Sequence, residues 1–355
     1  MNRGPFVFVM MSALLFGISP PLAKLLVRDI PPIALAGLLY LGAFVGLSLW
    51  SIGSGKMITG DNNRASSLDR NDFRWLAGAT ITGGILAPIS MMMGLKLVSG
   101  FSASLLLNLE GVATAMIAVF VFNENAGKRL WVALACMTVA GVFLTWDSSQ
   151  SRFVPLGPLL LVFAMACWGV DNNLTRNLSD KDPVQVAQVK GLVAGIVSLS
   201  LALMVGMKIP LDLTTVFALL LGAFSYGASL VFFIKALEGL GSSRTGAFFS
   251  LAPFIGAVVS LIILREWIGW VMFPATGLMI IGAWLIASEK HSHLHRHESA
   301  THIHLHNHGE MHHLHKHSGV VSEPHVHDHR HVEQAHTHVH WPDTHHRHRH
   351  SSDED

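Results

Sequence analysis

The chain is short of the residues that most soluble catalysts rely on. It has two cysteines among 355 residues, Cys136 and Cys167, and both fall inside apolar stretches. A disulfide framework is therefore excluded, a cysteine-based zinc site is disfavoured, and the two thiols read as small core residues. Charged residues make up only 13% of the chain. No histidine occurs in the first 290 residues, so that part lacks the imidazole ligands common in zinc enzymes. No GxxxxGK[ST] loop occurs, which disfavours ATP-driven work by this chain alone. Neither a nucleophile elbow nor an HExxH motif is present, and the chain does not read as an enzyme. A small-x-small cleavage site is missing before Lys24, so the first apolar segment is expected to remain as a helix.

What is there instead is apolar. The chain is 51% hydrophobic. Runs such as Ile33–Trp50, Ser102–Phe122, Val216–Ile234 and Ala247–Leu264 approach or reach the roughly 20 residues that a membrane-spanning helix needs. Segments fall at about 5–27, 32–52, 73–95, 101–122, 129–147, 155–176, 184–206, 213–236, 245–264 and 269–288. The expected fold is an all-α integral membrane protein of ten transmembrane helices, with the lipid bilayer as its surroundings. Lys and Arg collect on one side of this count, twelve against six, if the N-terminus is cytoplasmic. That orientation puts both termini in the cytoplasm and the body in the plasma (inner) membrane.

The body is duplicated. Gly17, Lys24 and Pro31 recur 152 residues later as Gly169, Arg176 and Pro183. Gly94-Leu95-Lys96, Ser104 and Glu124 recur 142 residues later as Ala236-Leu237-Glu238, Gly246 and Glu266. Two five-helix halves, 1–148 and 149–290, must then lie upside-down to each other. Such inverted repeats around a midplane site are typical of secondary transporters. Gly42–Gly46 and Gly191–Gly195 form GxxxG pairs, which serve either internal packing or a homodimer.

Several polar residues interrupt the apolar body. Glu110 lies deep in the fourth segment, where a charge costs roughly 2.5–3.5 kcal/mol. It reads either as a proton or solute site or as a hydrogen-bonded carboxyl joining two helices. Asn108, two residues away, faces elsewhere and reads as structural. Asp171-Asn172-Asn173 follow Trp168-Gly169 in the sixth segment. They line a cavity, or the helix ends there and they meet water. Lys190 either snorkels to the surface or pairs with Asp171. Trp168, Tyr40, Tyr226, Ser90 and Ser225 are candidate cavity liners. Met91-Met92-Met93 suit a soft metal, but consecutive positions do not share a helix face.

Residues 291–355 form a different region. All 23 histidines of the chain lie here. The candidate metal ligands are His291, His293, His295, His297, His302, His304, His306, His308, His325, His327, His329 and His331. Imidazole at every second position sets several rings on one side of an extended chain, and Zn, Ni, Co and Cu all accept it. With few apolar residues, the tail reads as disordered until metal binds. It carries nine Asp+Glu against five Lys+Arg, so it is not a nucleic-acid-binding arm.

Phe16-Gly17, Trp168-Gly169, the run Leu107-Asn108-Leu109-Glu110-Gly111 leading to Asn123-Glu124, and Leu251-Ala252-Pro253 leading to Arg265-Glu266 resemble the drug/metabolite transporter superfamily, EamA type. The resemblance covers about residues 5–288. The family's Glu-Pro is Glu110-Gly111 in one half and Ala252-Pro253 in the other, so Glu110 has no symmetric twin. The resemblance implies a carrier of small metabolites, driven by ion gradients or exchange. It also implies that helices one, three, four, six, eight and nine line a cavity, and that transport needs no cofactor. The family pattern does not include the tail. The expected function is a secondary transporter, an exporter, of either a small metabolite or a divalent transition metal. The alternative is a membrane-anchored metal buffer or sensor.

Overall fold

A computed structural model describes residues 3–53, 68–70, 72–122, 127–145, 156–178, 181–266, 269–270, 272–287, 291–297, 301–306, 325–330 and 334–340. The body is helical. Its rods are α1 (Gly4–Leu26), α2 (Pro32–Gly53), α3 (Phe73–Leu97), α4 (Gly100–Val121), α5 (Lys128–Thr145), α6 (Leu156–Thr175), α7 (Pro183–Met204), α8 (Leu213–Leu237), α9 (Arg244–Leu264) and α10 (Met272–Ala287). Among the described residues, α1 to α4 and α7 to α9 make seven helices long and apolar enough to cross a membrane. The surface agrees: Phe73, Phe120, Leu211, Ile262 and Trp284 are all more than half exposed. Such a continuous apolar exterior suits lipid and would be a liability in water.

The ends of the rods follow from sequence. Asp182 and Asp212 each accept a hydrogen bond from the backbone N–H two residues on, at 2.8 Å, and so start α7 and α8. Pro183 follows as the first residue of α7, where its missing N–H costs nothing.

Four internal irregularities matter more. π-helical turns interrupt α3 at Thr80–Leu86 and α8 at Ala223–Ala228. Non-helical breaks interrupt α4 at Leu107–Asn108 and α9 at Ser250–Leu251. The members of each pair stand 143 residues apart.

Packing joins α1 to α8 and α9, α6 to α3 and α4, α2 to α7, α4 to α9 and α5 to α10. The α2–α8 crossing is the closest. A Cβ on Gly42 would lie 2.1 Å from the Leu219 carbonyl oxygen, and one on Gly222 would lie 2.0 Å from that of Leu39. Only glycine permits that approach. Gly46 lies against Ala223 of α8, and Gly191 and Gly195 lie against α2. Both GxxxG pairs are thus filled from within the chain, which leaves those faces no surface for a second copy. Buried Leu35, Leu39, Met92, Leu95, Leu161 and Met165 fill the centre. Met91 and Met92 belong to this core while Met93 faces outward, as plain packing requires.

The α3–α4 link is held from both sides. Lys24 Nζ donates to the carbonyls of Leu95 and Val98, each at 2.6 Å, and of Lys96 at 3.3 Å. Arg265 adopts a left-handed conformation (φ 51°) at the end of α9. Glu266 follows it, and its carboxylate accepts the N–H groups of Gly100 and Phe101 at 2.6 and 2.8 Å. A cation at a helix C-terminus and an anion at the next N-terminus both suit the helix dipoles. Glu124, at the corresponding place in the first half, lies outside the described residues.

The tail departs from the expectation of an unordered segment at four stretches. These are β1 (His291–His297), β2 (Thr301–His306), β3 (His325–Arg330) and β4 (Gln334–His340). β1 pairs antiparallel with β4, and β2 with β3. Histidine alternating with Leu, Ile, Val and Thr has the period of two that a strand requires, and the branched residues favour it.

Candidate functional site

The site grows from the π-turn of α3. Ala87 N–H bonds the carbonyl of Thr82, five residues back. The next residue, Pro88, has no N–H, so the register leaves the Gly83 carbonyl without its backbone donor. Two side chains take its place. Tyr40 Oη of α2 donates to Gly83 O at 2.7 Å, and Trp168 Nε1 of α6 donates to it at 3.0 Å. Trp168 is buried, and this bond satisfies its only polar atom.

One turn further along α6, Asp171 lies against the same glycine. A Cβ on Gly83 would stand 1.9 Å from Asp171 Oδ2. Asp171 is only 7% exposed. Lys190 Nζ of α7 donates to both of its oxygens, at 2.6 and 2.7 Å, and Thr175 Oγ1 donates to Oδ1 at 3.0 Å. Lys190 therefore turns inward to pair with Asp171 and does not snorkel to the surface.

A second pair adjoins the first. Asn172 donates from Nδ2 to Glu110 Oε1 of α4 at 2.8 Å and to Thr114 Oγ1 at 3.2 Å. Asn173 ties the same helices through the carbonyls of Thr114 and Gly169, at 3.1 and 2.8 Å. α6 stays helical through Thr175, so the polar triplet lies within the helix and not beyond its end. Asn172 is exposed, whereas Asp171 and Asn173 are buried. Asn108 turns back to the Leu105 carbonyl at 3.0 Å and serves the break in α4.

Tyr40 also joins an aromatic group. Tyr226, in the π-turn of α8, accepts from Ser19 Oγ at 3.1 Å. Its ring lies 5.9 Å from that of Tyr40 and 6.0 Å from that of Phe16. Ser90 and Ser225 are buried in the interior. Gly83, Ser19 and the Lys24–Glu266 clamp were not among the expected site residues. The one available signal was Gly83-Gly84 followed by Pro88 in an otherwise apolar run.

In the helical body, among the described residues, no three His, Cys, Asp or Glu side chains gather as a metal would require. Of the tail candidates, His291, His293, His295 and His297 fall on β1, His302, His304 and His306 on β2, and His325, His327 and His329 on β3. His308 and His331 lie outside the described residues. The register sets His291, His293 and His295 opposite His340, His338 and His336. It sets His302, His304 and His306 opposite His329, His327 and His325. The pairing of the first histidine run with the run His336–His340 was not foreseen.

Asp171, Lys190, Glu110 and Asn172 thus place a polar cluster on otherwise apolar helices. The chain belongs to the EamA-like transporter family, which matches it at residues 4–146 and 155–288. It is 26% identical over 275 residues to an "Uncharacterized transporter" of Methanothermobacter thermautotrophicus, covering 74% of this chain and 79% of that one. It is also 22% identical over 179 residues to the "Uncharacterized transporter YyaM" of Bacillus subtilis, covering 47% of this chain and 58% of that one. A solved crystal structure shares the fold with a TM-score of 0.56 at 14% identity, covering 80% of this chain and 96% of that one. The protein is thus a multi-pass membrane protein of a family of transporters.

Proposed function

We propose that the chain is a secondary transporter, an exporter of a small polar metabolite across the plasma (inner) membrane, working by alternating access. In this reading α5, α6 and α10 also cross the bilayer, giving ten spans with both termini cytoplasmic. The halves α1–α5 and α6–α10 are inverted repeats. Exchanging α1 with α6, α3 with α8 and α4 with α9 turns the α1–α8 contact into α6–α3 and the α1–α9 contact into α6–α4, and keeps α4–α9, which supports that relation. The paired π-turns and paired breaks support it too.

The observation that carries the proposal is the joining of two polar pairs, Asp171–Lys190 and Glu110–Asn172, on helices that enclose an apolar interior. Charged groups at that depth are expensive and mark solute or ion paths. One wall offers carboxylate, ammonium and amide groups; the other offers Tyr226, Tyr40 and Phe16. Such walls suit a solute with a charged end and an apolar remainder. A transition metal as the cargo is disfavoured, because among the described residues of the body no three His, Cys, Asp or Glu side chains gather.

The test compares cells making the wild-type chain, Asp171→Asn and Glu110→Gln by metabolite and metal content. A metabolite depleted from wild-type cells, but not from either variant at equal membrane expression, supports the reading. A change confined to Ni, Co, Zn or Cu overturns it in favour of metal export.

The tail is a separate element in this proposal. Its histidines bind a divalent transition metal through neutral imidazole, and so act as a buffer or sensor attached to the carrier.

A further inference from the structure

The tail does more than supply histidines in number, because its backbone puts them in register. Three alternate pairs in the β1–β4 ladder are His–His: 291 with 340, 293 with 338, and 295 with 336. Three alternate pairs in the β2–β3 ladder are His–His as well: 302 with 329, 304 with 327, and 306 with 325. A slip of one residue would set histidine against Val339, Thr337 and Ala335, and no His–His pair would remain in the first ladder.

The spacing of the sequence carries the same information independently. Along the first arm the histidine spacing changes from two to five between His297 and His302. Along the second arm it changes from two to five between His331 and His336. From the His295–His336 pair to the His302–His329 pair, both arms advance seven residues. A break in the pattern of one arm is thus matched by a break in the other, and both ladders keep one register.

In an antiparallel ladder, residues in register share a face with those two positions away. Cross-strand neighbours stand about 5 Å apart at Cβ, and positions two apart along a strand about 7 Å. Two adjacent His–His pairs therefore form a four-cornered group. Zinc takes four ligands tetrahedrally, with Zn–N of about 2.0–2.1 Å. We infer that each ladder is one divalent-metal site, with adjacent cross-strand pairs such as His293, His295, His336 and His338 as its ligands. The ion closes two distant stretches of the tail onto each other. Strand pairing and metal binding then become one event, as in small domains that fold on their metal. Positions between the histidines, among them Leu294, Ile303, Val326 and Val339, occupy the other face and supply strand propensity.

This inference rests on the metal binding proposed for the tail, and the experiment separates the two. Zn²⁺ is titrated into the full chain in detergent against a chromogenic chelator. The register variant exchanges neighbours within β4: Ala335→His, His336→Ala, Thr337→His, His338→Thr, Val339→His and His340→Val. It keeps the composition and the number of histidines but moves three of them off the shared face. The expected result is tight Zn²⁺ binding by the wild-type chain and a tenfold or greater weakening of one tight site in the variant. Equal affinity in both overturns the register inference and leaves metal binding intact. No tight binding by the wild-type chain overturns both.

A second readout places spin labels on Ser292→Cys with Val339→Cys, or on Ser292→Cys with Ala335→Cys, after replacing Cys136 and Cys167 by Ala. With Zn²⁺ bound, the first pair is expected to give the shorter distance. The reverse order, or no change on adding Zn²⁺, overturns the pairing.

Discussion

The contact of α6 with the π-turn of α3 and the contact of α1 with the π-turn of α8 are built alike and equipped differently. Gly83 and Tyr226 stand 143 residues apart, each within a π-turn. Trp168 and Asp171 of α6 face the first turn. Phe16 and Ser19, 152 residues earlier on α1, face the second. On the first side a bare backbone carbonyl is held by Tyr40 and Trp168, and a carboxylate is held by Lys190. On the second side a phenol meets a hydroxyl and aromatic rings. The helix frame tolerates both sets because close packing constrains backbone approach more strongly than side-chain chemistry. Of the residues named at the two turns, the charged ones fall on the first side. A second buried ion pair would carry its own desolvation cost, so an asymmetric site is the cheaper way to hold a polar group in the membrane.

The largest test of that contrast removes one partner of the charged side. Lys190→Met strands the Asp171 carboxylate and should destabilise the protein by about 3–5 kcal/mol. Thermal unfolding in detergent would register it. The double variant with Asp171→Asn should recover most of the lost melting temperature while transport stays absent. Recovery of transport as well would show that the pair only holds the fold.

Gly83→Ala comes next. The added methyl overlaps Asp171 and should cost about 1–3 kcal/mol as overpacking. A lower melting temperature in detergent is the expected outcome, and an unchanged one would contradict the close approach. At the α3–α4 link, Glu266→Gln keeps the shape but removes the charge from two N–H contacts. A loss of about 1 kcal/mol is expected, as for a lost helix cap. Faster hydrogen exchange should be confined to Gly100, Phe101 and their neighbours; exchange spread over the whole body would contradict a local clamp. Smallest of all, Tyr226→Phe forfeits one long hydrogen bond to Ser19 and should cost about 0.5–1 kcal/mol. If it cost as much as Lys190→Met, the two sides would not differ as described.

Much of this was legible in the chain. The apolar runs marked the helices, and the recurrence of Gly17 as Gly169 and of Glu124 as Glu266 marked the duplication. Glu110, Asp171, Asn172 and Lys190 stood out because charge and amide groups are costly within such runs. Their partners were less legible. Lys190 had a surface reading open to it, and only the packing of α7 beside α6 brought its ammonium to Asp171. Gly83 carried no polar side chain to notice; its role lies in a carbonyl that Pro88 leaves unpaired. The GxxxG faces read equally well as internal or intermolecular until α2 was found between α7 and α8. In the tail the alternation was plain, but an unordered polymer and a paired ladder have the same composition.

The sequence by itself determined the lipid-facing character of the body, its doubled plan, the polar interruptions and the histidine-rich tail. Each depends on local composition or on spacing along the chain, which hydration and helix or strand periodicity read directly. The tertiary structure alone decided that Asp171 meets Lys190, that Tyr40 and Trp168 share the Gly83 carbonyl, and that His295 faces His336. These are contacts between distant segments. They are set by how helices and strands pack side by side, and no single segment contains that information.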